Sequence, residues 1–517
     1  MLDSLVWLIP LSPLLAAAWI GFCRIAGWFA GEQGERATAR IALVATLVPL
    51  LLLLLLDASA LVGAAPGQLV LGSWLVSGEY QVLVSFTLDA FGLWMATLIS
   101  LICLITLRFS VNYMHREVGF QRFFMVLSLF SGAMLLIVLA GNAVLAFIGW
   151  ELAGVSSYLL IGYAFERQNA VLNATRIFVT NRIGDASFLL GIALCFLWVG
   201  GVEWPQLALS GGEIEPRFQG LIGLSFLLAA LVKSAQVPFS PWISRALEGP
   251  TPSSAVFYGS LMVHAGVYLV IRLEPLLSQV SVVLIIMGLL GIMTALYGWL
   301  VGMVQVDIKS SLMFSTNAQV GLMFLECGLG WFDLAAWHLG LHAVWRCYQF
   351  LHAPALLQLV RRPERRAPAW LRRQSGLHTA VMQRFWLDSI ADWLLLRPTQ
   401  SLAQDLQDFD QKVVTRIVGL PDQAGAFNSL ARWEARQQGQ GDADGAVGHG
   451  RGMAGRLMEW LAKLLYWFEE HLVLQGGGEG LKRTIDLIGG YLKRVEHLLS
   501  QPRYLLLLIM ATFAVII

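Results

Sequence analysis

The chain has 517 residues; 57% are hydrophobic, 13% are charged, the net charge is +1 and the mean hydropathy is +0.66. That balance excludes a water-soluble globular protein, whose surface must carry far more charge. Five isolated cysteines with no CxxC pair exclude a disulfide framework and a thiolate metal cluster.

Apolar runs long enough to cross a bilayer recur at 2–23, 41–63, 88–108, 121–140, 143–165, 175–200, 218–239, 252–273, 279–304, 308–328 and 333–360. The first lacks a basic n-region and outruns a signal-peptide core, so it is read as a retained membrane helix. Arginines orient the set. Arg24, Arg36 and Arg40 follow the first run, the 64–87 connection has no Lys or Arg, and Arg108, Arg116 and Arg122 follow the third. Arg361, Arg362, Arg365, Arg366, Arg372 and Arg373 follow the eleventh. This places 361–500 in the cytoplasm and the N-terminus in the periplasm. Topology accounts for the arginine cluster, so no nucleic-acid partner is expected.

Three regions follow: a membrane domain over 1–360, a cytoplasmic region over 361–500, and a membrane helix over 501–517. In the second, 388–416 and 457–499 have apolar residues at helical spacing and predict amphipathic helices. The Gly-, Gln- and Asp-rich stretch 437–455 predicts a linker. The expected fold is an all-α polytopic membrane protein of about twelve transmembrane helices.

Ionisable groups inside spans cost about 2.5–3.5 kcal/mol each on insertion scales, and this chain keeps several. Glu151 stands mid-way along the fifth span. Lys233 stands in the seventh, just before Pro238 and Pro241. Proline removes a helix donor, so a broken helix is expected near 233–241, of the kind that lines polar cavities in transporters. Desolvation disfavours the charged form of each group, so bringing a buried Glu and Lys together or apart moves a proton. The competing reading is an ion pair that locks helices.

His264 lies in the eighth span. His338, His342 and Arg346 recur at i+4 steps in the eleventh and form one polar stripe. Imidazoles relay protons near neutral pH, whereas Arg346 supplies a fixed positive charge. The His338–His342 spacing suits a metal, but no further ligand motif accompanies it. Lys309, at the start of the tenth span, fits a proton role and a snorkelling one equally. Arg182 and Asp185, one i, i+3 step apart, are assigned a structural pairing.

Five motifs resemble the antiporter-like subunits of respiratory complex I, nearest the chain 5 type: GWELAGVSSYLLIG (149–162), TNRIGD (180–185), KSAQVPF (233–239), EGPTPSS (248–254) and DIKSSLMFST (307–316). The resemblance covers roughly 80–355. It implies inverted five-helix repeats around a hydrophilic axis, with essential proton-translocating roles at Glu151 and Lys233. The chain departs from that pattern in three ways. Tyr258 stands where the family has a histidine, and His264 where it has a neutral residue. Arg346 replaces a lysine. The spans expected after the eleventh are missing, so the second repeat is truncated.

The segments FYGSLMVH (257–264) and HAVWRCYQFLHAP (342–354) are similar instead to the membrane subunit of DAB inorganic-carbon accumulation complexes, while RFWLDSIADWLLLRP (384–398) looks like the tail of the chain 5 type. The DAB resemblance implies a large cytoplasmic DabA-like partner that carries zinc, with no cofactor and no catalytic site in this chain. Proton flow would then drive CO2 hydration to bicarbonate at a bacterial inner membrane, through Glu151, Lys233, His264, His338, His342, Arg346 and Lys309. The alternatives are an antiporter-like subunit of a complex I-type or hydrogenase-type redox pump, and a structural membrane anchor.

Overall fold

The computed structural model describes residues 5–29, 31–62, 67–78, 80–209, 214–359 and 367–409, with single positions at 460 and 464. The chain divides into two compact units, with the boundary between Asp392 and Trp393. Up to that boundary the order is α1 (Leu8–Ile25), α2 (Gly31–Leu61), β1 (Gly67–Ser77), β2 (Tyr80–Leu88), α3 (Ala90–Tyr113), α4 (Phe120–Leu139), α5 (Ala143–Ile161), α6 (Gln168–Trp198), α7 (Trp204–Leu209), α8 (Pro216–Lys233), α9 (Pro241–Arg245), α10 (Thr251–Ser254), α11 (Ala265–Arg272), α12 (Glu274–Leu277), α13 (Ser281–Gly302), α14 (Ile308–Gly328), α15 (Phe332–Leu359), α16 (Ala369–Arg373), α17 (Ser375–Met382) and α18 (Leu387–Ala391).

Among the described residues, 9 helical segments are long and apolar enough to cross a membrane. They occupy the first nine predicted runs, and α14 and α15 occupy the tenth and eleventh. Three of these helices start on a side-chain cap: Asp89 accepts from Gly92 N, Asn142 from Leu145 N and Asp307 from Ser310 N. The core is densest at α4, α5 and the 251–272 segment, the last of which is buried from Thr251 to Ile271. On α13, Val282, Ile285, Leu289, Ile292, Leu296 and Trp299 form an exposed apolar stripe at helical spacing, as a lipid-facing surface requires. Its opposite face meets α14 at Gly291 and Gly321, where a Cβ on either would lie 2.6 Å from main-chain atoms of the facing helix. Such close approach is how membrane helices pack.

The fold is mostly helical, as expected; the one departure among the described residues is over 67–88, where β1 and β2 form an antiparallel hairpin, pairing Gly67 with Leu88 and Ser77 with Tyr80. The run YQVLVSFTL alternates and is rich in β-branched and aromatic residues, and Gly78 takes the positive φ of 61° at the turn. Glu203, beyond α6, pins the hairpin. It accepts from Ser85 Oγ at 2.6 Å and from Asn142 Nδ2 at 2.8 Å. Burial holds its carboxyl above the usual carboxylate range.

Two predicted spans are not continuous. The 218–239 run ends as helix at Lys233. Ala235 then takes φ 52°, the Val237–Pro238 bond is cis, and α9 begins at Pro241. Side chains satisfy the freed main chain, as burial demands. Trp242 Nε1 donates to Val232 O at 2.8 Å, and Val237 N donates to Thr294 Oγ1 at 2.9 Å. The 252–273 run contains a second break that the sequence reading missed. A π-helical turn over Ala255–Ser260 ends at Leu261 (φ −122°, ψ −61°), and a 3-10 turn over Met262–His264 leads into α11. No proline marks it; Gly259-Ser260 is the available signal. Ser234 Oγ donates to Val263 O at 2.6 Å and ties the two breaks together.

After α17 the chain turns through Arg384, Phe385 and Trp386, all at positive φ (51, 56 and 55°). Asp388 then binds Arg245 of α9 at 3.0 Å. The amphipathic helix predicted over 388–416 is helical wherever it is described, with a π-helical turn over Asp392–Leu396. Its second described piece, α19 (Arg397–Phe409), belongs to the other unit and bears Leu402, Leu406 and Phe409 along one exposed apolar face. The remainder of that prediction and all of 360–366, 437–455 and 504–517 lie outside the described residues, as does 457–499 apart from Trp460 and Leu464.

Candidate functional site

The first polar centre forms where α5, α6 and α8 meet. α5 is apolar on every side, so its one acid, Glu151, is carried into the core and is 3% exposed. Its carboxylate accepts from Arg182 of α6 at 2.6 Å. Arg182 also pairs with Asp185 at 2.7 Å, one helical step away. Asp185 in turn accepts from Trp150 Nε1 at 2.9 Å. Lys233, 1% exposed, donates from Nζ to Trp150 O at 3.0 Å, with the indole ring 4.8 Å beneath the ammonium.

Trp150 thus joins the base to the acids. Glu151 and Lys233 share no hydrogen bond or ion pair, but Lys233 lies within electrostatic reach of Asp185, Glu151 and Arg182. The helix end also holds the ammonium. It is on the last residue of α8, where the helix dipole favours a cation. Two acids and two bases make the centre formally neutral.

The second centre forms between the 255–264 break, α14 and α15. His264 and His342 are buried, and His264 Nε2 lies 2.9 Å from His342 Nδ1. Arg346, 5% exposed, donates from Nε to His342 Nε2 at 3.4 Å and from a terminal nitrogen to Ser315 Oγ at 2.9 Å. These contacts fix the tautomers. His342 Nε2 accepts, so Nδ1 carries the proton and donates to His264 Nε2. The His264 proton is then on Nδ1, which has no protein partner among the described residues.

His338 continues the stripe, its ring centroid 6.2 Å from that of His342. It turns outward to Glu326 at 2.9 Å and to Gln319 Oε1 at 2.9 Å. The break at Leu261 joins His264 to the α15 stripe, a proximity with no counterpart in the sequence pattern.

Lys309 stands at the second residue of α14, half-buried, and no hydrogen bond or ion pair joins it to either centre among the described residues. Sequence reasoning set Arg182 and Asp185 aside as structural, yet they complete the Glu151 centre. Their signal was the one used for Glu151 itself, ionisable groups within a span. Trp150, Gln319 and Glu326 were missed. Among the described residues no group of three or more His, Cys, Asp or Glu could hold a metal ion.

Residues 140–367 match the family described as "NADH:quinone oxidoreductase/Mrp antiporter, TM", and residues 74–124 match "NADH-Ubiquinone oxidoreductase (complex I), chain 5 N-terminus". The chain is 35% identical over 361 residues to an NAD(P)H-quinone oxidoreductase subunit 5 of the Paulinella chromatophora chromatophore, covering 68% of this chain and 54% of that one. The chloroplast subunit 5 of Nymphaea alba is 34% identical, with 68% and 48% covered. The chain therefore spans about half the length of the curated relatives it matches.

Among solved structures, the Mrp complex from Dietzia sp. DQ12-45-1b superposes with a TM-score of 0.59 at 25% identity, over 67% of this chain and 37% of that one. An archaeal membrane-bound sulfane sulfur reductase shares the fold, with a TM-score of 0.58 at 21% identity over 69% and 57%.

Proposed function

The chain belongs to the superfamily of complex I chain 5 and Mrp antiporter-like membrane subunits, and from that premise we propose that it is the proton-conducting subunit of an inorganic-carbon accumulation complex. The observation that carries proton conduction is the formally neutral quartet of buried Glu151, Asp185 and Lys233 with partly exposed Arg182, at a helix break. Adding a proton to a carboxylate leaves the quartet with one excess positive charge, which loss of a proton from Lys233 removes. In a low-dielectric site that balance is enforced strongly, so uptake and release are coupled.

The His264–His342 couple supplies a second relay, with Arg346 as its fixed charge; Lys309 would serve at the edge of the path. A bacterial inner membrane, a periplasmic N-terminus and a cytoplasmic 361–500 region complete the proposal. The three-part division at 360 and 500 belongs to it as well.

The carbon-accumulating role is supported by the two segments that resemble DAB membrane subunits, 257–264 and 342–354, because these supply His264 and His342 themselves. Proton flow would drive CO2 hydration in a DabA-like, zinc-bearing cytoplasmic subunit. The second reading, an antiporter-like subunit of a complex I-type redox pump, is favoured by the names of the similar subunit 5 proteins.

Mild-detergent purification of the chain, with mass spectrometry of its partners and zinc analysis, separates the two. A single large zinc-bearing partner is the expected result. A set of quinone- or iron–sulfur-linked subunits would overturn the carbon assignment.

A further inference from the structure

The macrodipole disfavours an acid in the last turn of a helix, where carbonyls already concentrate negative charge, by about 0.3–1 kcal/mol. Glu326 occupies that position on α14, two residues before its end at Gly328. What holds it there is His338, whose Nδ1 meets the two carboxylate oxygens at 2.9 and 3.2 Å. The other ring nitrogen faces Gln319 Oε1. An imidazolium, with two N–H donors, satisfies both acceptors at once.

The pair lies nearer the protein surface than the His264–His342 couple, which is buried. The side chains of His338 and Glu326 are 21% and 17% exposed. The turn immediately beyond carries exposed Leu329 and Trp331, with Gly330 at positive φ. On the inward side, His338 is the member of the stripe next to His342. The rim is acidic as well: Glu274, at the start of α12, feels the charge of Asp333 in the first turn of α15.

We propose that Glu326 is the proton-exchange group at the open end of the histidine chain, passing protons to and from His342 through His338. Glu326 and His338 would act as a port, and the 6.2 Å gap between the His338 and His342 rings, beside the Arg346 charge, as the step that limits leakage. With the Arg-rich segment after α15 in the cytoplasm, the port opens on the periplasmic side. The inference rests on the proposed role of His264 and His342 as a relay.

The test uses the full chain, purified with its co-purifying partners and reconstituted into vesicles, with proton flux read by an entrapped pH dye. Glu326→Gln keeps an oxygen acceptor for His338 but cannot exchange a proton, whereas Glu326→Asp can. The expected result is a fall of about 10²-fold in Glu326→Gln and in His342→Gln, with most of the flux kept in Glu326→Asp. Wild-type flux in Glu326→Gln, with loss in His342→Gln, would overturn the port and leave the relay. Wild-type flux in both would overturn the relay as well.

If Glu326→Gln fails to assemble, Glu326→Cys provides the second route, since the described native cysteines are all buried. A thiosulfonate that attaches a carboxylate, added from one side only, should restore flux, and one that attaches a quaternary ammonium should not. Equal flux before and after both reagents would contradict the port.

Discussion

The Glu151 carboxylate and the Arg182 guanidinium meet at 2.6 Å inside the bundle, where Glu151 is 4% and Arg182 37% exposed by side chain. The pair is asymmetric: the acid is sealed in the core and the base is partly exposed. Removing the base leaves a buried acceptor uncompensated, which costs about 1–3 kcal/mol. Arg182→Gln should therefore lower thermal stability in detergent, and adding Glu151→Gln should recover part of the loss. Strictly additive losses in the double variant would show that the two side chains do not couple.

Gly291 and Gly321 bring α13 and α14 into main-chain contact. Gly321→Val places a branched side chain where a Cβ already lies 2.6 Å from Ala295 N. Overpacking of this kind costs about 1–3 kcal/mol. Gly321→Val should unfold earlier on heating in detergent, whereas Gly330→Ala, with nothing within 4 Å of its added Cβ, should show only the milder strain of its positive φ. Equal melting of Gly321→Val and the parent chain would refute the close packing.

Glu203 makes the hairpin sensitive to pH. Its folded-state pKa is raised by burial, so its contribution is fully present below the ordinary carboxylate pKa of about 4.3 and is lost as pH rises through the raised value. Amides of Tyr80–Leu88, corrected for intrinsic exchange, should lose protection across that window. Glu203→Gln should flatten the trend. The same pH dependence in both proteins would assign it to another group.

Much of this architecture was legible because a membrane imposes its own period and length. The run at 308–328 is helix α14 to the residue, and Pro238 with Pro241 announced the break after Lys233. The break at Leu261 carries no proline. It arises from a π-helical turn whose Ser260 Oγ returns to Ala255 O at 2.7 Å, a tertiary solution that local sequence does not specify. The hairpin was passed over as a connection because its outer strand is exposed along nearly all its length, which blurs the inward-outward alternation. At the site, Glu151, Lys233 and the α15 stripe stood out as charge in an apolar background. Trp150 could not, because its role lies in a main-chain carbonyl and an indole N–H that face different partners. Glu326 could not either, because its significance depends on a histidine in the next helix.

The measurement that bears most directly on the proton-conduction claim is flux through the reconstituted full chain, with its partners, in the parent, Glu151→Gln, Lys233→Met and the double variant, each first shown to assemble. The predicted result is loss of flux to the level of empty vesicles in all three variants. Flux near the parent level in the assembled double variant would contradict it, and would leave the quartet as a device that only locks α5, α6 and α8 together.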